Sequence, residues 1–329
     1  MPKRKLGVYW AAACGGCDVS ILDTDAKILD LAANFDLVMW PCAADFKYDS
    51  LNDFADGEVD VFLVNGAFRT SEQVELAELI RKKTKTVIAY GACACFGGIP
   101  SLANLTNRRG IFDKVYKTTF STDNPKGLYP QTRFDVPEGE VELPEFYNTV
   151  RALDQVVPVD YYIPGCPPPY TLVTTAIDAL ISGQLPPPGS VIAGDKNRCD
   201  ECTRKRDEKK VKEFHRVYAT IPDPEKCLLE QGVVCLGPAT RSGCGNRCLN
   251  ANMPCRGCFG PAPEVREQGM KVLSALTSIV DSKDAKEVSK IVDEIPDPTG
   301  TIYRFSMAKS FLHRRNMKPG SNAKPGSQK

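Results

Sequence analysis

Residues 5–18 read KLGVYWAAACGGCD. Lys5–Trp10 has the composition of a β-strand, and it runs through three alanines into Cys14-Gly15-Gly16-Cys17. Asp18 is then a candidate N-cap for a helix whose apolar positions are Ile21, Ile28, Leu29 and Leu31, reaching about Ala33. The same strand–turn–helix order recurs downstream. Phe35–Trp40 (FDLVMW) and Val59–Val64 (VDVFLV) read as a second and a third strand. Thr70 or Ser71 caps a helix carrying Val74, Leu76, Leu79 and Ile80 and closed by Arg81-Lys82-Lys83. Thr86–Tyr90 (TVIAY) is a fourth strand followed by a turn over Gly91–Gly98 (GACACFGG). Val159–Ile163 (VDYYI) is a fifth, followed by Pro164-Gly165-Cys166-Pro167-Pro168-Pro169 and a helix over Tyr170–Ser182. Short apolar strands alternating with helices predict an α/β fold, a doubly wound parallel sheet with helices on both faces. Residues 100–158 have no clean period and form an insertion.

The rest of the chain is of a different kind. Cys199–Cys258 holds eight of the fourteen cysteines, among glycines and prolines that leave little room for regular structure. Such a segment cannot build a conventional core by itself. With 42 basic and 41 acidic residues the charge is balanced, which argues against nucleic acid or an anionic membrane as the main partner. No apolar run of signal-peptide or membrane-spanning length is visible, so the expectation is a soluble, cytoplasmic protein. Disulfides are disfavoured there, and fourteen cysteines then point to metal.

The expected organisation is a flavodoxin-like α/β domain over 1–183 and a cysteine-rich, loop-dominated domain over 184–262. C-terminal helices over 263–312 and a disordered tail over 313–329 complete it. The helices are expected within Pro261–Ser282 and over Asp284–Val292. The charged run Arg204–Lys212 (RKRDEKKVK) reads as a solvated helix face or, more sharply, as a docking surface for an electron-transfer partner.

In sheets of this type ligands sit beyond the carboxyl ends of the strands. That edge gathers Cys14 and Cys17, one of Cys93 or Cys95, and Cys166, enough thiolates for one four-iron cubane. Nearby glycines (Gly15, Gly16, Gly91, Gly97, Gly98, Gly165) can turn N–H groups toward the sulfurs and offset the negative charge. A thioredoxin-like dithiol and a structural zinc site are the competing readings. Cys42 reads as a buried small side chain. The eight C-terminal cysteines suffice for two further cubanes or two zinc sites. Cys199, Cys202, Cys227 and Cys235 form one grouping and Cys244, Cys248, Cys255 and Cys258 the other. Spacing alone does not fix this pairing.

Taken together, these motifs resemble the small, electron-transferring subunit of nickel–iron hydrogenases, over roughly residues 5–262. Cys14-Gly15-Gly16-Cys17 resembles that family's first Cys-x-x-Cys. Gly91–Gly98 resembles its Gly-x-Cys-Ala-x-x-Gly-Gly turn, which selects Cys93 and leaves Cys95 a spectator. Gly165-Cys166-Pro167-Pro168 resembles its Gly-Cys-Pro-Pro loop. Cys235–Thr240 is similar to Cys-x-Gly-Pro-x-Thr, and Pro254–Cys258 to Pro-Cys-x-Gly-Cys. The resemblance implies a proximal cluster on Cys14, Cys17, Cys93 and Cys166. It implies a medial cluster on Cys244, Cys248, Cys255 and Cys258, and a distal one on Cys199, Cys202, Cys227 and Cys235.

Two departures bear on the type. Periplasmic members have histidine where Cys199 stands, and commonly proline near Cys248. Three 4Fe-4S clusters and the cytoplasmic group are therefore implied. Within it the chain is similar to the methyl-viologen-reducing, non-deazaflavin-reducing hydrogenases that associate with heterodisulfide reductase. The implied reaction is reversible oxidation of dihydrogen at a nickel–iron centre on a separate large subunit. This chain would contribute no catalytic residue. It would pass electrons to an acceptor such as a 2Fe-2S adaptor subunit and heterodisulfide reductase. The alternatives are the same subunit of a deazaflavin-reducing hydrogenase and a multi-cluster ferredoxin-like carrier without a hydrogenase partner. The related cluster subunit of respiratory complex I resembles the N-terminal domain alone.

Overall fold

The computed structural model describes residues 2–207, 210–295 and 297–312. Its centre is a five-stranded sheet of Arg4–Trp10 (β1), Phe35–Met39 (β2), Val59–Asn65 (β3), Thr84–Tyr90 (β4) and Tyr161–Ile163 (β5). The spatial order is β2-β1-β3-β4-β5 and every pairing is parallel. This is the flavodoxin-like order, whose chain direction switches between β1 and β3.

The pleat sorts side chains cleanly between two cores. Tyr9, Phe62, Val64, Val87 and Ala89 face one side and meet Leu76, Ala77 and Ile80 of the helix Ser71–Lys83. Leu6, Val8, Val61, Leu63 and Ile88 face the other and meet Leu172, Val173, Ala176, Ile177 and Leu180 of the helix Tyr170–Ser182. Both helices lie where the apolar spacing put them. Thr70 is the N-cap of the first, with a complete capping box to Gln73. Thr70→Ala is expected to cost about 1 kcal/mol, read as a lower denaturant midpoint with an unchanged slope.

Several expectations are corrected. The helix after Cys17 is two helices, Gly16–Leu22 and Lys27–Asn34, capped by Gly15 and Ala26. Asp18 is thus not an N-cap but a first-turn residue turned inward. Gly91–Phe96 is a short helix rather than an open turn. Cys42 is exposed, because Ala43 and Ala44 N–H both bond the Trp40 carbonyl and turn the chain out at the sheet's end. The described part of Arg204–Lys212 is no helix. Arg204 is buried, donating to the Asp223, Lys226 and Leu249 carbonyls and to Asn252 Oδ1, and Val211 bridges to Val280. Lys205, Arg206, Asp207, Lys210 and Lys212 stay exposed, so the run is solvated but not helical, and the buried Arg204 and Val211 tie it to the loops. The insertion folds as a hairpin (Arg133–Val136 with Gly139–Glu142) and a strand Phe146–Arg151 paired with Phe68–Thr70. The expected tail lies outside the described residues, apart from its approach.

The cysteine-rich stretch borrows its core. Val211, Phe214, Leu228, Val233, Leu236 and Leu249 close against Val272 and Leu276 of the helix Gln268–Ile279 and against Ile291, Ile302, Tyr303 and Met307. Beyond these helices the chain returns to the sheet, where Gly98 N–H donates to the Phe305 carbonyl and Gln155 Nε2 to that of Ala308. Among the described residues no helix is long and apolar enough to cross a membrane.

Candidate metal centres

The carboxyl ends of β1, β4 and β5 deliver the first group of thiols. Cys17 lies within electrostatic reach of Cys93 and Cys166, Cys93 of Cys166 and Cys14, and Cys166 of Cys14. Cys14 and Cys166 are exposed while Cys17 and Cys93 are buried, so the group sits at the rim of the sheet and opens outward. Val19, Ile99 and Tyr170, each near one of the cysteine turns in the chain, are exposed apolar side chains. Close approach here demands glycine. A Cβ at Gly91, which has φ +85°, would lie 2.3 Å from Cys17 Sγ.

Cys95 is also near Cys17 and Cys93, but its thiol is used differently. It is fully buried in the core with Phe62 and Leu153, and its Sγ donates to the Ala89 carbonyl at 3.3 Å. Two of the glycines expected to point N–H groups at sulfur, Gly97 and Gly98, do something else. Gly97 N–H bonds the Cys93 carbonyl and Gly98 N–H that of Phe305. The donor found on Cys93 sulfur is the backbone of Ile99.

The second unit brings the rest together. Cys199, Cys202, Cys227 and Cys235 line one cavity of about 330 Å³, together with Arg198, Arg204, Arg206, Leu228 and Gly237. A water needs only roughly 10–15 Å³ of such space, so the cavity suits a polyatomic guest. A Cβ at Gly237 would stand 3.1 Å from Cys199 Sγ and 3.6 Å from Cys235 Sγ. Cys258 is within reach of Cys255, Cys244 and Cys248, and also of Cys166. Cys255 N–H donates to Cys235 Sγ at 3.3 Å. The group Cys244, Cys248, Cys255 and Cys258 therefore stands between the other two. Among the described residues no three His, Cys, Asp or Glu side chains converge tightly enough for a single metal ion.

Burial pushes the Cys93 and Cys199 thiols up to about 12, and it raises Cys17, Cys235 and Cys258 as well. Without metal these are neutral thiols, and metal must displace their protons. Backbone and hydroxyl donors oppose this effect. Gly237 and Cys255 N–H reach Cys235, and Gly257 N–H and the Thr240 hydroxyl reach Cys255. Donors of this kind stabilise thiolate once iron is present.

Two buried charged groups, Asp18 and Arg198, take roles that only the fold assigns. Asp18 is 1% exposed and accepts from Trp40 Nε1 and Asn65 Nδ2, both at 2.9 Å. It ties β3 and the end of β2 to the Cys14-Gly15-Gly16-Cys17 turn. Asp18→Ala strands both donors and is expected to cost about 3 kcal/mol, measured as a lowered unfolding midpoint. Arg198 is the other. A charged residue beside a cysteine motif was the available signal, but its direction depends on the fold.

The family model described as NADH ubiquinone oxidoreductase, 20 Kd subunit, matches residues 14–180. The chain is 38% identical over 320 residues to the F420-non-reducing hydrogenase iron-sulfur subunit of Archaeoglobus profundus, covering 95% of this chain and 99% of that one. It is 37% identical over 311 residues to an F420-non-reducing hydrogenase vhu subunit of Methanocaldococcus jannaschii, covering 94% and 97%. Among solved structures, an NAD+-reducing NiFe-hydrogenase in the H2-reduced state aligns at 29% identity with a TM-score of 0.48, over 56% of this chain and 94% of that one. Relatives this similar over nearly the whole length place the chain plainly: it belongs to the family of iron–sulfur subunits of F420-non-reducing hydrogenases.

Proposed function

We propose that this hydrogenase subunit carries electrons between a nickel–iron large subunit and an acceptor protein by means of three 4Fe-4S clusters. Cys14, Cys17, Cys93 and Cys166 would hold the proximal one. Cys244, Cys248, Cys255 and Cys258 would hold the medial one, and Cys199, Cys202, Cys227 and Cys235 the distal one. The observation that carries the reading is the cavity lined by those last four thiols, too large for an ion and edged by glycine. When bound, such clusters supply one-electron oxidation and reduction.

The chain's own residues do the remaining work. Two thiols of the proximal group are buried and two exposed, so a partner can close over them. Val19, Ile99 and Tyr170 offer that partner, proposed to be the large subunit, an apolar rim. Ile99, Gly237, Cys255 and Gly257 N–H groups offset negative charge at the sulfurs. Packed side chains keep water from Cys235 and Cys255. The acceptor is proposed to be an adaptor carrying a 2Fe-2S centre and, beyond it, heterodisulfide reductase. The domain division at residues 183 and 262 is proposed on the same footing.

The test is anaerobic purification of the complex with iron and nickel analysis. About twelve irons per chain, four for each cluster, with a nickel protein copurifying, is the expected result. Colourless protein, or iron far below that, sinks the reading.

A further inference from the structure

The Arg198 side chain occupies an unusual place. It is 1% exposed, directly precedes Cys199, and lines the cavity of Cys199, Cys202, Cys227 and Cys235. Its Nη1 donates to Glu201 Oε2 at 2.8 Å and to Asn246 Oδ1 at 3.2 Å, and its Nη2 to the Arg241 carbonyl at 2.8 Å. Asn246 lies between Cys244 and Cys248, and Arg241 just before them, so the guanidinium reaches from one thiol group into the other. Cys255, which belongs to the middle group and bonds Cys235, lies within its electrostatic reach. The Nε–H has no acceptor among the described residues.

A guanidinium is a permanent cation. A buried cation needs compensation, and in the protein Arg198 has one part-exposed carboxylate and the face of the Phe259 ring at 5.6 Å. Among the described residues Glu201 is its one ion-pair partner, and that carboxylate's side chain is 36% exposed, where solvent screens it. Asn246 and the Arg241 carbonyl are neutral. The positive charge therefore bears on whatever the surrounding thiols hold. Cluster potentials are set by net charge, hydrogen bonds to sulfur and solvent exposure, and Arg198 acts on the first. The proximal group has the opposite neighbour, since the buried carboxylate of Asp18 is within reach of Cys17.

We infer that Arg198 is a redox-positioning residue that raises the reduction potentials of the two C-terminal clusters above what their thiolates alone would set. The inference rests on the cluster assignment proposed above. A reduced cluster carries one more negative charge than an oxidised one, so a fixed cation beside it favours the reduced form. With Asp18 beside the first group and Arg198 between the other two, buried charge tilts the chain so that electrons run from the sheet's edge outward.

The experiment is an EPR-monitored redox titration of the anaerobically purified complex. Arg198→Met is expected to move two of the three cluster potentials down and leave the third in place, and Arg198→Lys to bring them back toward the parent values. Glu201→Gln, at a part-exposed position, removes the counter-charge and is expected to move the same two up. Unmoved potentials in Arg198→Met with iron content intact overturn the inference, as does an equal shift of all three. If Arg198→Met fails to accumulate, Glu201→Gln decides, and no shift or a downward one is fatal. Fewer than three clusters in the parent protein would count against the cluster assignment instead, and the iron analysis tells the two failures apart.

Discussion

Cys93→Ser and Cys166→Ser are each expected to reduce hydrogen-dependent dye reduction by at least about 100-fold while hydrogen–deuterium exchange by the complex persists. Both thiols stand at the sheet edge beside Cys14 and Cys17, and each comes from a different loop. Losing either leaves three donors where the proposed cluster needs four. Dihydrogen chemistry belongs to the proposed large subunit, so exchange needs no electron exit through this chain. Gly91→Ala should behave in the same way, because a Cβ there enters the space of Cys17 Sγ. Cys95→Ser is the control. That thiol bonds the Ala89 carbonyl in the core, and serine can make the same bond. Dye reduction that survives in Cys93→Ser and fails in Cys95→Ser would reverse the assignment of the two.

Stripping iron with a chelator under reducing, anaerobic conditions is expected to unfold the cysteine-rich region while the parallel sheet stays intact. Between residues 184 and 262 the described regular structure amounts to the short helices Arg198–Glu201 and Arg247–Asn250 and isolated 3-10 turns. The rest is held by single side chains reaching backbone carbonyls. Arg204 laces three carbonyls, and Gln231 Nε2 reaches those of Asp223, Lys226 and Cys227. In small metal-built domains, metal binding supplies on the order of 10 kcal/mol of folding free energy. By contrast, the sheet is buried on both faces and owes little to metal. Hydrogen exchange read by mass spectrometry should show protection lost over 190–262 and over Gln268–Ile279, which shares that core. Protection should be kept over Val59–Asn65 and Thr84–Tyr90. Uniform protection after complete iron loss contradicts this account.

The parallel sheet is legible because its signal is local. Val59–Asn65 and Thr84–Tyr90 are short apolar runs bounded by turn residues, and the helix between them carries its own cap. Residues 100–158 are not legible. Their hairpin is exposed on both sides, so nothing selects an apolar alternation, and Phe146–Arg151 is a strand only because Phe68–Thr70 lies opposite. Arg204, at the head of the charged run, misleads for a related reason. A buried arginine and a solvated one look alike in sequence, and the carbonyls that bury Arg204 come from residues about twenty and forty-five positions away.

The order of residues was sufficient for the alternating strands and helices, and for the placing of Cys14, Cys17, one of Cys93 or Cys95, and Cys166 at one edge. Each of these follows from neighbours within a turn or a strand, where backbone geometry permits few choices. The chain trace in space had to decide that Asp18 turns inward, that Cys95 faces the core, that Cys255 touches Cys235, and that Arg198 lies between two thiol groups. Those outcomes depend on which distant segment supplies the partner. A buried charge or thiol takes its role from that partner's dipole and charge, and the partner is known only once the chain has folded.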